Sequence, residues 1–554
     1  MRRKTWLMLV AALIAVFTLA AAGCGGDDDD DAGQADTGTT DTGGPAAEQV
    51  LRIAWGAEPP SLDPGKATDT TSSNVILALM DPLVKLNPDT LEPEASLAES
   101  WEVDGPTVTF NLRDDATWTN GDPVTAQDFV YSWKRTLSPE LAADYAYQLY
   151  GVKGAAEYNG CTKGDCSKLA DAVAVTAVDD HTLQVELTSE QPWFLGQVSH
   201  HSFLPVHQAT VEEFGDNWTD PANIVTNGPF MLESWDHEAS INLVKNPDFR
   251  DAENVTLERI EGSIIVDGVT RVQAFEAGEV DALDGLGLPP EEIDRLKTEP
   301  YYELYPALGN YYYGFNVDSI GLDQRKAMSL AINRKIITDQ IDKTGRSQAT
   351  GFTPEGIKGF DVINPNSPWL PPEGDMEQAQ TFMDQEPNPK TDINLFHNDA
   401  PGHKEIAVAV QSMWAELGIK TTIKAQEWAQ YLEFLGPPPN KAVDAYRLGW
   451  IYDFPDAING LELWTCDSGN NNTNWCNEEF DSLVEEAKKT VDDDARYEIY
   501  RQLEGVMFDE DGDVPLTPIM WYTYNNLETD AVRDSFFISP LDQIDFTKVV
   551  VQGG

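Results

Sequence analysis

Basic residues are scarce in this chain: 37 Lys and Arg stand against 94 Asp and Glu over 554 residues, a formal net charge of −57 at pH 7. Nucleic acids and anionic lipid surfaces are held by cationic surfaces, so both drop out as main partners. Cysteine is scarce as well, with five residues. Four of them fall as local pairs, Cys161 with Cys166 and Cys466 with Cys476, which outside the cytoplasm reads as two small-loop disulfides. The zinc alternative would need tight pairs with histidine or cysteine neighbours. Histidine is limited to seven residues. Their one dense group, His200, His201 and His207, reads as a polar surface loop, with a metal site as the alternative. Enzyme motifs are missing too. There is no GxSxG elbow, no HExxH, since His237-Glu238 lacks a second histidine, and no phosphate loop, because Gly65-Lys66 runs into Ala67. Among 94 acids, carboxylate pairs of the glycosidase kind cannot be singled out. The reading is therefore no enzyme, no metal and no cofactor.

What is present begins at the amino terminus. Arg2, Arg3 and Lys4 precede an apolar run from Trp6 to Ala22, and Ala21-Ala22-Gly23 leads directly into Cys24. The run is at the short end for spanning a bilayer. It resembles the lipobox of bacterial lipoproteins, in which the cysteine thiol is acylated and the preceding segment removed. One departure is that Ala21 stands where the lipobox has leucine, with Leu19 two residues earlier. The resemblance implies a signal peptide at 1–23 and a lipid anchor on Cys24 at the extracytoplasmic face of the cell membrane. From 24 to 49, five aspartates (Asp27 to Asp31) and a Gly/Thr/Asp/Ala stretch carry no aromatic residue. Such a segment buries too little apolar surface to order itself and reads as a flexible acidic linker.

The remaining chain mixes strands and helices. Trp101 and Val103, a turn at Asp104-Gly105, and alternating Val108, Phe110 and Leu112 predict a hairpin with one buried face. A second hairpin is expected from Val173 and Val175 to Leu183, Val185 and Leu187. Thr125 and Asp128 form a capping-box start to a helix with Phe129, Val130 and Trp133 on one face. Ile393 to His397, a helix with Ile406, Val410, Met413 and Leu417, a stop at Gly418, and Ile419 to Ala425 make a strand–helix–strand unit with parallel strands. Phe480, Leu483, Val484 and Ala487 mark a closing amphipathic helix. The fold class is α/β with antiparallel additions.

Four blocks, in order, carry a resemblance over nearly the whole chain. They are Glu58-Pro59-Pro60-Ser61-Leu62-Asp63-Pro64; Leu97 to Glu102 with Phe110, Leu112-Arg113, Trp118 and Gly121 to Ser132; Thr226 to Phe230 with Lys245-Asn246-Pro247; and Phe315-Asn316 with Arg325 to Arg334. Together they are similar to the oligopeptide- and dipeptide-binding family of extracytoplasmic solute-binding proteins. That resemblance implies a two-lobed periplasmic-binding-protein-like (type II) fold with an extra inserted domain and a ligand cleft between lobes. Mapped here, lobe I takes 50–82, 206–314 and 521–554, the inserted domain 83–205, and lobe II 315–520. It also implies a monomeric receptor for peptides or another small solute, serving ABC permease subunits and their ATPases.

A receptor for many peptides must read an ammonium, a carboxylate and a strand-like backbone. In a family motif that Gly449 to Asp456 resembles, an aspartate meets the ammonium, which assigns that role to Asp453. As a local alternative, Asp453 would cap a helix ahead of Pro455. Trp450 and Tyr452 are candidate cleft walls, or else core. Asn470 and Asn471, with Ser468 and Asn472, lie in the loop closed by Cys466 and Cys476 and are candidate ligand contacts. For the ligand carboxylate the sequence singles out no residue, although Arg447 is near. Two alternatives stay open: a non-peptide solute such as a nickel chelate or oligosaccharide, and a surface hydrolase, for which the 15 tryptophans are the one hint.

Overall fold

The computed structural model describes residues 48–285, 287–364, 369–400, 402–436 and 440–553. The lipobox-like segment with Cys24 and the acidic stretch up to residue 47 lie outside the described residues.

The strand–helix–strand unit forms where its periodicity places it. Asp392–Asn398 and Lys420–Gln426 pair in parallel around the helix His403–Glu416. Ile406, Val410 and Trp414 are buried from that helix, and Gly418 turns the chain at φ +79°, a conformation that other residues adopt at a cost. These strands lie at one side of a six-stranded sheet ordered Ser347–Gln348, Leu516–Leu527, Tyr302–Phe315, Ala445–Ile451, Asp392–Asn398, Lys420–Gln426. A second sheet is ordered Ala282–Leu283, Val50–Trp55, Arg259–Ile264, Ser240–Lys245, Phe230–Asp236. Its first three strands run parallel and the others antiparallel.

Both expected hairpins join into a third sheet, Ala98–Asp104, Thr107–Leu112, Thr182–Glu186, Val175–Asp179. Val108, Phe110, Leu112, Leu183 and Val185 are buried. Val103 is not: it is 49% exposed, because Ala98–Asp104 is an edge strand carrying mostly exposed residues. The helix Ala126–Thr136 starts as expected, with the Thr125 backbone N–H donating to the Asp128 carboxylate at 2.7 Å.

Of four apolar cores among the described residues, three are large. One draws all its buried members from Leu83 to Phe203. Another gathers residues from Leu51 to Ala307 together with Tyr524 to Val549. The third, the largest, gathers Leu308 to Met520 with Trp193 and Leu541. Tyr302–Phe315 and Leu516–Leu527 are long strands shared between the last two cores, and their register shifts between Pro306 and Asn310. From Gly309 onward the first of them pairs with Ala445–Ile451, so the change of core falls several residues before 314. The amphipathic helix Glu478–Ala487 does not close the chain's helices. The 16-residue Asp493–Phe508 follows and packs on it. Its buried face carries Tyr497, Ile499, Tyr500 and Leu503, with charged residues interrupting the apolar pattern in sequence.

The inserted segment is fastened to the first lobe by one ion pair, Arg135 with Asp63, and by Ser96, which bonds an ion pair internal to the first lobe. Arg135 meets Asp63, of the Glu58 to Pro64 block, at 2.5 Å, and Arg250 meets Asp81 at 2.7 Å; all four side chains are largely buried. Asp81 also accepts from Ser96 at 2.6 Å. Pairs as well shielded as these resist solvent screening.

Candidate functional site

Ligands of open α/β sheets bind beyond the carboxyl ends of parallel strands. In the six-stranded sheet those ends are Asn398, Gln426 and Ile451, and Asp453 follows the last of them by two residues. Its carboxylate accepts from Gln148 Nε2 at 2.6 Å and from Asn459 Nδ2 at 3.0 Å. The Gln148 contact spans 305 positions of sequence, bringing the inserted segment onto the second lobe. Asn459 Oδ1 accepts from the Asp453 backbone N–H at 3.1 Å and from Trp450 Nε1 at 2.9 Å, so one amide orients both side chains. Asp453 does not cap a helix. The next one starts at Ile458, whose N–H is taken by Asp456.

Three carboxylates crowd this segment, and two have their own cations: Asp456 lies 3.5 Å from Arg496 and Glu462 lies 3.1 Å from Lys488. Asp453 has only His200 Nε2, at 3.5 Å. His200 Nδ1 accepts the Ser202 backbone N–H, which leaves the ring proton on Nε2. Burial pushes His200 and the adjacent His201 down to about 3, so both are neutral at physiological pH. Burial pushes Asp453 up to about 6, with Asn459 opposing. A carboxylate in this state lacks a cation.

The histidines thus differ from the surface loop expected. His200, His201 and His207 are 5%, 2% and 8% exposed. His201 bonds the Ala67 carbonyl and Ser73, and His207 bonds Asp122 and Thr210. His201 and His207 join the inserted segment to the first lobe, His200 faces Asp453, and no cluster suited to a metal ion occurs among the described residues. Polar residues in a loop read as surface, but each ring here finds partners distant in sequence.

At the other end of the strand, Arg447 is 8% exposed. Its guanidinium donates to Asn398 Oδ1 at 3.1 Å and to the Tyr522 hydroxyl at 2.6 Å, and it stacks 4.3 Å from the centroid of the Tyr311 ring. The groups acting on its charge are phenols, those of Tyr522, Tyr311, Tyr431 and Tyr313. Arg346, whose guanidinium lies 4.8 Å from the centroid of the Tyr522 ring, has its own carboxylate, Asp342, at 2.8 Å. Partly buried His403 is held well below its ordinary value by lost hydration and by Arg447 and Arg346. Gly449 makes the arrangement fit, since a Cβ there would overlap the Tyr522 hydroxyl.

Between Arg447 and Asp453 the strand is paired on one side only. Asp392–Asn398 meets it at Ala445 and Tyr446 and not beyond, while Tyr302–Phe315 pairs with it through Ile451. The Tyr452 N–H donates to Leu308 O at 2.8 Å, so by alternation Gly449 and Ile451 turn their backbone groups to the open edge. Trp450 is partly exposed there.

The other expected contacts fall differently. Tyr452 is 1% exposed and packs in the core, with Gly460 leaving room for its ring. Both disulfides are present, Cys161–Cys166 and Cys466–Cys476. Within the second loop Asn471 is committed to structure: its Nδ2 donates to the carbonyls of Trp464, Thr465 and Trp475, and its Oδ1 accepts from Thr473. A ligand role for it gives way to that of a loop staple. Asn470 is partly exposed, its backbone N–H donated to Ser468 Oγ at 3.2 Å. Nothing in the sequence marks Gln148 or Asn459 as partners of Asp453, and only nearness to Asp453 points to Arg447.

A model of the Bacterial extracellular solute-binding proteins, family 5 Middle, matches residues 92–472. The chain is 35% identical over 540 residues to the oligopeptide-binding protein OppA of Bacillus subtilis (strain 168), covering 94% of this chain and 95% of that one. The structure of the Escherichia coli murein tripeptide binding protein MppA matches with a TM-score of 0.81 at 28% identity, over 92% of this chain and 100% of that one. Haemophilus influenzae OppA in complex with RPPGFSPFR matches at 0.81 and 29% identity, over 91% and 99%. Against the unliganded open form of MppA the TM-score is 0.71, again at 28% identity, over 92% and 98%. The lower score against the open form accompanies the contact that Gln148 of the inserted segment makes with Asp453.

Proposed function

This chain belongs to the family 5 bacterial extracellular solute-binding proteins, and from that premise we propose that it captures peptides in the cleft between its lobes and delivers them to an ABC importer. The observation that carries the reading is the pair of unmatched charges on one strand and the turn that follows it. Asp453 takes the ligand ammonium, and Arg447, with His403 beside it, takes the carboxylate. The open edge at Gly449 and Ile451 adds the ligand backbone as a strand, so sequence enters little into recognition. Trp450 walls the cleft beside the first residue. The names of the relatives, an oligopeptide-binding protein and a structure holding a nonapeptide, support a peptide.

In the same reading, lobe I and the inserted domain 83–205 form one jaw and lobe II the other. The chain crosses between them at Ala307 to Asn310 and again near Trp521. Cys24 carries the lipid that keeps the receptor beside its permease, outside the membrane. A Cys24→Ala variant is expected to leave the membrane fraction, and one that still sediments with it refutes acylation.

Mass spectrometry of the natively purified protein tests the ligand class. A ladder of peptide masses is expected. A single non-peptide mass, such as a metal chelate or an oligosaccharide, would overturn the peptide reading.

A further inference from the structure

The inserted domain touches both lobes, but in different ways. Toward the first lobe it is fixed by the Arg135–Asp63 pair and by Ser96, which donates to Asp81 at 2.6 Å and accepts from Arg250. Toward the second lobe it presents the stretch from Ser189 to Gln197. Ser189 Oγ donates to the Lys488 carbonyl at 2.9 Å, and Gly196 faces Pro455, so that a Cβ there would lie 3.4 Å from the proline ring. Between them Trp193, 8% exposed, is counted within the second lobe's own apolar core. Its ring centroid lies 5.7 Å from the Arg496 guanidinium.

Arg496 is anchored on the second lobe. It donates to Asp493 at 2.7 Å and to the carbonyls of Thr490 and Val491, and it lies 3.5 Å from Asp456. Asp456 in turn accepts from the Tyr500 hydroxyl at 2.6 Å and stands three residues after Asp453. Trp193 is thereby linked, through Arg496 and Asp456, to the short segment that carries Asp453, and its neighbour Gly196 faces Pro455 of that segment directly. Its ring packs within the core of the opposite jaw, so opening would return tryptophan surface to water. It would also remove a cation–π contact.

We propose that Trp193 is the latch of the closed cleft, holding the inserted domain on Arg496 and so coupling closure to the segment that binds the ligand. The proposal rests on the capture reading above but not on the ligand being a peptide. Because the latch lies outside the ligand's contacts, it acts through the closed population, and apparent affinity scales with that fraction for every ligand alike.

The test uses the full chain, parent and variants Trp193→Ala, Trp193→Phe and Gly196→Leu. Small-angle scattering measures the radius of gyration with and without ligand, and calorimetry and stopped-flow use a free-amine tripeptide and its N-acetyl form. Trp193→Ala and Gly196→Leu are expected to weaken both ligands by one common factor of at least tenfold, chiefly through faster dissociation. They should also enlarge the unliganded molecule. Trp193→Phe is expected to recover most of the loss. Unchanged affinity and radius overturn the proposal, as does a loss that differs between the two ligands. Gly196→Leu adds atoms at the interface and keeps Trp193 in place, so it decides the matter if Trp193→Ala misfolds. If the parent binds no peptide, the peptide reading falls and the latch is judged by scattering of the unliganded proteins: more open variants support it, and equal radii overturn it.

Discussion

Arg447 and Asp453 stand six residues apart on one strand and the turn that follows it, both buried, the one among phenols and the other beside neutral imidazoles. Their neighbours Asp456, Glu462 and Arg346 have ionic partners of their own. The site thus holds one spare negative and one spare positive charge. Six residues of extended chain reach at most about 20 Å, which limits a ligand spanning both ends to about six residues.

Replacing the carboxylate should discriminate by ligand chemistry. Asp453→Ala is expected to weaken a free-amine peptide by about 2–5 kcal/mol, the range for breaking a buried charge pair, and to leave an N-acetylated peptide nearly unaffected. Titration calorimetry with both peptides reads this directly; unchanged affinity for the free amine sinks the assignment.

The same group sets a pH profile. Its carboxyl is raised to about 6, and an ammonium needs the ionised form. Affinity should be flat above pH 6 and fall by about tenfold per unit below it. His200 and His201, at about 3, titrate outside that window. Asp453→Asn should flatten the curve.

At the opposite end, Arg447→Met is expected to cost a free-carboxylate peptide about 2–5 kcal/mol and its C-terminal amide much less. Gly449→Ala should act in the same direction, since it displaces Tyr522 from Arg447. Equal losses for acid and amide would remove Arg447 from the carboxylate site.

Asp542 predicts a stability effect away from the cleft. It is 2% exposed, and neither carboxylate oxygen meets a donor in hydrogen-bond geometry. Burial raises it to about 8, with Thr70 opposing and Asp284 adding. A carboxyl raised on folding contributes stability that is fully present below about pH 4 and lost as pH rises through about 8. Asp542→Asn should match the parent at pH 4 and exceed it above pH 8 by on the order of 5 kcal/mol, read from urea unfolding at the two pH values.

The loop closed by Cys466 and Cys476 should matter for stability more than for binding. Replacing both with serine is expected to cost about 2–3 kcal/mol of unfolding free energy. Asn471→Ala, which removes its three carbonyl contacts and the Thr473 bond, should lower the unfolding midpoint while leaving peptide affinity within about twofold. A selective loss of affinity would restore Asn471 to the ligand site.

The sequence by itself determined the elements whose causes are local. The parallel unit from Asp392 to Gln426, the two hairpins and the Thr125–Asp128 cap follow from the spacing of apolar residues, a turn glycine and one reciprocal bond, all within a few residues. The motif around Asp453 singled out one acid of 94 as the expected partner of the ligand ammonium. Tertiary structure decided what that acid faces. Gln148 arrives from 305 positions away, Asn459 turns back to hold Trp450 and Asp453 together, and His200 and His201 become neutral only because packing removes their water. Tyr452 and Asn471 show the same boundary from the other side. Their residue types suit a binding site, yet core packing and loop carbonyls claim them. Charge balance in a buried site is a sum over neighbours brought together by the whole chain, and no local pattern carries it.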